Sequence, residues 1–211
     1  MKLIAIPGWA CDKQYFNFLE NVKCFDWGFY SSDNTDPKVF LAGEMNEDFI
    51  FLAYSMGSLY LDEVLSSKFC KGAIVLSGFT SFCGQDNKDS KLVEKVSQMG
   101  SALIANPAKL IENFQTLAGS SFRKNEYYNK EILLKGLDIL KTKRTQVDSC
   151  TKPMLLLRGQ KDRILHPKVA LQLSRRFPNA EQHCFIGEKH DVSQSTEAQT
   201  TIKKFLEVNN V

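Results

Sequence analysis

Short apolar runs alternate along the chain with stretches in which apolar side chains return every three or four residues. The runs at 2–7, 25–31, 48–54, 72–77, 153–158 and 181–186 read as strands, and 12–21, 58–67, 167–176 and 195–208 as helices. Strands that alternate with helices predict an α/β fold, a mainly parallel sheet of about six strands covered on both faces. In such sheets, sites form beyond the carboxyl ends of the strands.

The alternation breaks between residues 79 and 150. That segment is polar and helical in pattern, with Gly100, Asn106-Pro107 and Gly119-Ser120-Ser121 as punctuation. It is too long for a loop and is expected to form a helical cap inserted over the strand ends. The organisation predicted is therefore a core of 1–78 and 151–211 carrying a cap of 79–150. A chain of 211 residues has room for one well-packed domain and such an insertion.

Composition narrows the function. No apolar stretch approaches the ~20 residues needed to span a bilayer, and the apolar opening is interrupted by Pro7 and Gly8. It reads as a strand entering a loop, so a mature cytoplasmic protein is expected, away from membranes and monomeric. Cys11, Cys24, Cys70, Cys83, Cys150 and Cys184 show no CxxC spacing, which predicts free thiols. His166, His183 and His190 do not cluster with them, so neither a metal nor any other cofactor is expected. The net charge is +3, and 79–150 holds 11 Lys+Arg against 8 Asp+Glu while the remainder is balanced. That surplus is too mild for nucleic-acid binding.

Residues 53–57 read Ala-Tyr-Ser-Met-Gly between an apolar run and a helical stretch. A serine flanked by small residues at a strand-to-helix turn is the layout of a nucleophile elbow, with Ser55 as nucleophile. A serine hydroxyl needs a base to take its proton and a third group to hold that base. Asp162 follows the 153–158 run and His190 follows the 181–186 run, so order, residue type and placement agree. His183 falls inside a strand pattern, His166 precedes a proline at a helix start, and Asp191 adjoins the histidine it would have to orient. Oxyanion donors are expected at the backbone N–H of Met56 and, in the loop after the first strand, of Trp9, whose indole would wall the pocket.

With these residues in place the chain resembles the α/β-hydrolase superfamily over nearly its full length. Within it, the chain is similar to the pimeloyl-[acyl-carrier protein] methyl ester esterases of biotin synthesis (the BioH type). Gly8-Trp9 matches that family's oxyanion loop, and Tyr54-Ser55-Met56-Gly57 resembles its elbow. The stretches 136–142 (GLDILKT) and 153–159 (PMLLLRG), with Asp162, select this branch. Pro7 stands where the family has histidine and Ala53 where it has glycine. By this comparison the family's first hairpin is expected to be absent and the cap shorter.

The resemblance implies hydrolysis of the methyl ester of pimeloyl-acyl carrier protein through an acyl-enzyme on Ser55. It also implies an acidic carrier protein as partner, docked by cap cations. Arg123 and Lys124 are the first candidates and Lys109 and Lys130 the next, with Phe114 a candidate for the acyl tunnel. The residues leave open a general carboxylesterase or thioesterase, a non-catalytic binding protein, and a relative that uses the same triad for elimination or C–C cleavage.

Overall fold

The computed structural model describes residues 1–32, 36–84, 90–121, 125–147 and 150–209. Six parallel strands form one sheet: β1 (Lys2–Ile6), β2 (Val22–Cys24), β3 (Phe49–Tyr54), β4 (Cys70–Leu76), β5 (Met154–Gly159) and β6 (Glu181–Phe185), in the order β2-β1-β3-β4-β5-β6. The chain leaves β1 for one edge and then returns to its other side as β3. That reversal opens a crevice at the carboxyl ends of β1 and β3, the place where open parallel sheets bind ligands.

Both faces of the sheet are covered because successive strand residues point to opposite sides. Leu3, Ala5, Ile50, Leu52, Ile74 and Leu155 pack with Ala198, Ile202, Phe205 and Leu206 of α8 (Thr196–Val208). Ile4, Ile6, Phe51, Ala73, Val75 and Leu156 belong to the other core. There they join Leu41 of α1 (Pro37–Glu44) and Leu61 and Val64 of α2 (Leu61–Leu65). No helix among the described residues is long and apolar enough to cross a membrane.

Three predicted elements are corrected. The alternation at 25–31 is not a strand: β2 ends at Cys24, and the chain turns at Gly28, whose φ is +75° and whose N–H donates to Asp26. Its alternation comes from Phe25, Trp27 and Phe29, which are buried as an aromatic wedge, the Trp27 indole donating to Pro7 O at 3.0 Å. The stretch 12–21 forms successive turns closed by Tyr15, Asn17 and Leu19 N–H groups, not a helix. Asp12 accepts the Gln14 N–H and so supplies the backbone with a local alternative to helix. The helix expected at 58–67 is a 3-10 turn, Ser55–Tyr60, followed by α2.

One helix was not anticipated. α1 begins where Asp36 accepts the Lys38 N–H at 2.7 Å and Pro37 fills the first helical position. The 167–176 stretch is divided into α6 (Pro167–Ala170) and α7 (Gln172–Arg176).

Residues 90–142 hold α3 (Ser90–Ala105), α4 (Pro107–Ala118) and α5 (Lys130–Thr142). Asn106 caps α4 through the Lys109 N–H, and Gly119 ends it at φ +86°. Gly100 does not punctuate but sits inside α3, where a Cβ would meet Leu134 of α5 at 3.6 Å. The segment is stitched back to the core at its far end. Thr145 N donates to Thr80 O at 2.9 Å, and Asp62 accepts from Thr145 Oγ1 and from the Gln146 and Val147 N–H groups at 2.6–2.9 Å.

Candidate active site

The turn after β3 is built by exclusion. Ser55 has φ +50°, in the left-handed region that residues with a side chain rarely occupy. The backbone can fold so sharply because Gly57 has no Cβ, which would stand 2.0 Å from Ile6 O at the end of β1. Gly8 allows the loop after β1 to close from the other side, since a Cβ there would lie 3.1 Å from that of Ser55. Ser58, fully buried, locks the turn: its hydroxyl lies 2.7 Å from Ser55 O and accepts the Phe79 N–H at 2.9 Å.

Asp162 and His190 arrive on two loops that run against each other. A Cβ at Gly159 would meet Lys189 O at 1.8 Å, so only glycine lets the loop after β6 pass. Lys161 N then donates to Glu188 O at 2.7 Å. Ser77 Oγ donates to His190 O at 2.6 Å and fixes the histidine backbone. The result is one hydrogen-bonded chain: His190 Nδ1 to Asp162 Oδ2 at 2.7 Å, and His190 Nε2 to Ser55 Oγ at 2.9 Å.

Burial pushes the Asp162 carboxyl up. The hydrogen bond and charge of His190, with the N–H groups of Leu165 and Ile164, outweigh that and leave it below the usual carboxylate value. An ionised Asp162 places the imidazole proton on Nδ1, which leaves Nε2 free to accept the Ser55 hydroxyl proton. Such an arrangement can raise the nucleophilicity of the serine and carry its proton to a leaving group. The other histidines lie elsewhere: His183 pairs with Glu181 at 2.8 Å on β6, and His166 caps α6.

Asp191, next to His190 in the sequence, does not orient the imidazole, which bonds to Asp162. Its carboxylate instead accepts from Tyr15 at 2.7 Å, Ser120 at 2.6 Å and the Ser193 hydroxyl at 2.6 Å, and its N–H donates to Ala118 O at 2.8 Å. The loop carrying His190 is thereby tied to the end of α4. Tyr15 and Tyr54 stack at 4.1 Å, and burial, then the Asp191 charge, pushes both phenols well up. These ties join residues up to 176 positions apart and leave no local pattern in the sequence.

A cavity of about 450 Å³ opens from Ser55 under α3, α4 and α5, walled by Trp9, Val96, Met99, Leu110 and Phe114 among others. The Trp9 indole donates to Leu133 O at 2.9 Å and meets the Phe114 ring edge-on at 4.9 Å. Gly136 makes room for it, since a Cβ there would sit 2.6 Å from Trp9 Cδ1. The stretch 136–142 is thus where α5 packs on the loop after β1. Met56 is buried at the start of the 3-10 turn, where the first N–H groups have no partner within the helix.

The docking candidates divide. Lys109 pairs with Glu112 at 3.0 Å, and Lys130 donates to Ile104 O at 3.0 Å. Arg123 and Lys124 lie outside the described residues. All six cysteines are free thiols, and burial pushes Cys11 well up and Cys24 to about 12.

No protein-family model matches the chain. The sequence is 26% identical over 159 residues to a pimeloyl-[acyl-carrier protein] methyl ester esterase of Yersinia enterocolitica; the match covers 67% of this chain and 62% of that protein. The fold is similar to that of an esterase from Exiguobacterium antarcticum, with a TM-score of 0.80 at 11% identity over 98% of this chain and 92% of the other. It is similar also to MenH from S. aureus, with a TM-score of 0.76 at 15% identity over 100% and 95% of the two chains. The chain therefore has the α/β-hydrolase fold and is similar in sequence to a pimeloyl-[acyl-carrier protein] methyl ester esterase.

Proposed function

We propose that the protein is a serine ester hydrolase that cleaves the methyl ester of pimeloyl-acyl carrier protein. The observation that carries this reading is the Ser55–His190–Asp162 hydrogen-bond chain at the inner end of an apolar cavity. Ser55 Oγ attacks the ester carbonyl as His190 Nε2 takes its proton. The tetrahedral oxyanion is held by the N–H groups of Met56 and Trp9. His190 returns the proton to the departing methanol, leaving an acyl-enzyme. Water, deprotonated by His190, then releases the ω-carboxylate, while Asp162 keeps the imidazole in its working tautomer. In this reading 79–150 is a cap, Phe114 and Trp9 wall the acyl chain, and Arg123 and Lys124 meet the acidic carrier protein.

The substrate is supported by the sequence similarity and by the apolar lining. A second reading is a general acyl esterase or thioesterase that needs no carrier. It is favoured by the engagement of Lys109 with Glu112 and of Lys130 with Ile104 O, which leaves fewer cations for docking.

Cleavage of purified pimeloyl-acyl carrier protein methyl ester by wild type and Ser55→Ala separates the readings. Conversion to the free acid by wild type alone is expected. Ser55-dependent hydrolysis of simple esters without that conversion would select the general esterase, and no hydrolysis of either by folded protein would select a binding protein.

A further inference from the structure

The lining of the Ser55 cavity is apolar except for Ser55, Gln98, the Trp9 indole and two cations, Lys95 on α3 and Arg163 directly after Asp162. Among the described residues, no acid lines the cavity and neither cation has an ion-pair or hydrogen-bond partner. Four lysines elsewhere over the sheet are paired with acids: Lys109 with Glu112, Lys135 with Glu131, Lys141 with Asp138 and Lys143 with Glu63, at 2.8–3.6 Å. Both Lys95 and Arg163 are exposed, so they stand at the outer rim while Ser55 lies buried at the inner end. Two uncompensated positive charges over low-dielectric walls focus a positive potential into the opening.

We infer that the site selects acyl esters bearing an anion beyond the acyl chain, a carboxylate or a phosphate, bound by Lys95 and Arg163. An ester carbonyl at Ser55 with its chain along Val96, Met99 and Phe114 leaves such a group at the rim. The guanidinium offers a forked donor suited to either oxyanion, and the ammonium a compact charge. This rests on the reading of the cavity as an acyl-ester site. It adds a requirement that the apolar lining alone does not impose.

Binding to Ser55→Ala protein, followed by the fluorescence of Trp9 in the cavity wall, tests this without turnover. One pair of probes is monomethyl and dimethyl suberate, differing by a carboxylate. The other is the methyl pimeloyl thioester of phosphopantetheine and of pantetheine, differing by a phosphate. In at least one pair the anionic member is expected to bind about ten-fold more tightly, for two partly exposed charge contacts. That preference should shrink with added salt and vanish when Lys95→Gln and Arg163→Gln are combined. A preference in the first pair alone assigns a free half-ester, and one in the second assigns the prosthetic arm of a carrier.

Equal binding within both pairs, a preference that survives the double replacement, or no saturable binding of either anionic probe up to about 10 mM would each overturn the inference. Failure of the hydrolase reading shows separately, as wild-type protein that leaves methyl esters intact.

Discussion

Gly57 and Gly136 each leave room for a neighbour, but the neighbours differ in kind. At Gly57 the space is taken by a backbone carbonyl, Ile6 O, 2.0 Å from where a Cβ would stand, and at Gly159 by Lys189 O at 1.8 Å. At Gly136, on the helices over the sheet, it is taken by a side chain, the Trp9 indole, at 2.6 Å. A carbonyl anchored at the end of a central strand cannot move without the sheet, whereas an indole can rotate. The strand-end loops therefore fix the Ser55–His190–Asp162 geometry through the main chain. The cavity that opens from Ser55 is walled by side chains, which tolerate adjustment.

The comparison can be broken at several points. Asp162→Asn is expected to have the largest effect, since an amide no longer enforces the imidazole tautomer: kcat for a simple ester should fall on the order of 10⁴-fold with little change in KM. A loss below about ten-fold would mean that Asp162 does not orient His190. Gly57→Ala should follow, costing about 3 kcal/mol or more by forcing β1 and the elbow apart. Denaturant unfolding would record it, and near-wild-type stability would show that the turn has slack.

Gly136→Ala puts its methyl against the indole and should cost about 1 kcal/mol, the clash exceeding the helix-propensity gain. Its signature is a KM raised several-fold with kcat nearly retained. A fall in kcat with KM unchanged would place the indole in the chemistry instead of the cavity wall.

The smallest expected effect is on stability in acid. The folded Asp162 carboxyl lies below its unfolded value of about 3.9. Its ionisation thus contributes stability that is fully present above that pH and lost as pH falls through the lower folded value. Asp162→Asn should lose less stability than wild type between about pH 5 and about pH 2; parallel losses would contradict the hydrogen bonding described.

The same division explains what the sequence disclosed. Ser55 and Asp162 follow apolar runs that became β3 and β5, because a strand buried on both faces leaves a continuous apolar signal, whereas His190 follows β6, an edge strand that is mostly exposed. Asn106-Pro107 and Gly119 became the two ends of α4 for equally local reasons. The 25–31 alternation misled because Phe25, Trp27 and Phe29 obtain burial from tertiary contacts with a turn between them. α1 was missed although Asp36-Pro37 is a start signal, its apolar face being weak, with Pro37 and Leu41 its buried residues. The ties from Asp191 to Tyr15 and Ser120 could not be read at all, since only the fold brings those residues together.

The central claim, that Ser55 is the nucleophile activated by His190, is tested most directly by labelling with a fluorophosphonate and mapping the adduct by mass spectrometry. The account predicts one adduct on the Ser55 peptide of the wild type and none on His190→Ala protein. Label on another serine, or on Ser55 at an equal rate without His190, would contradict it.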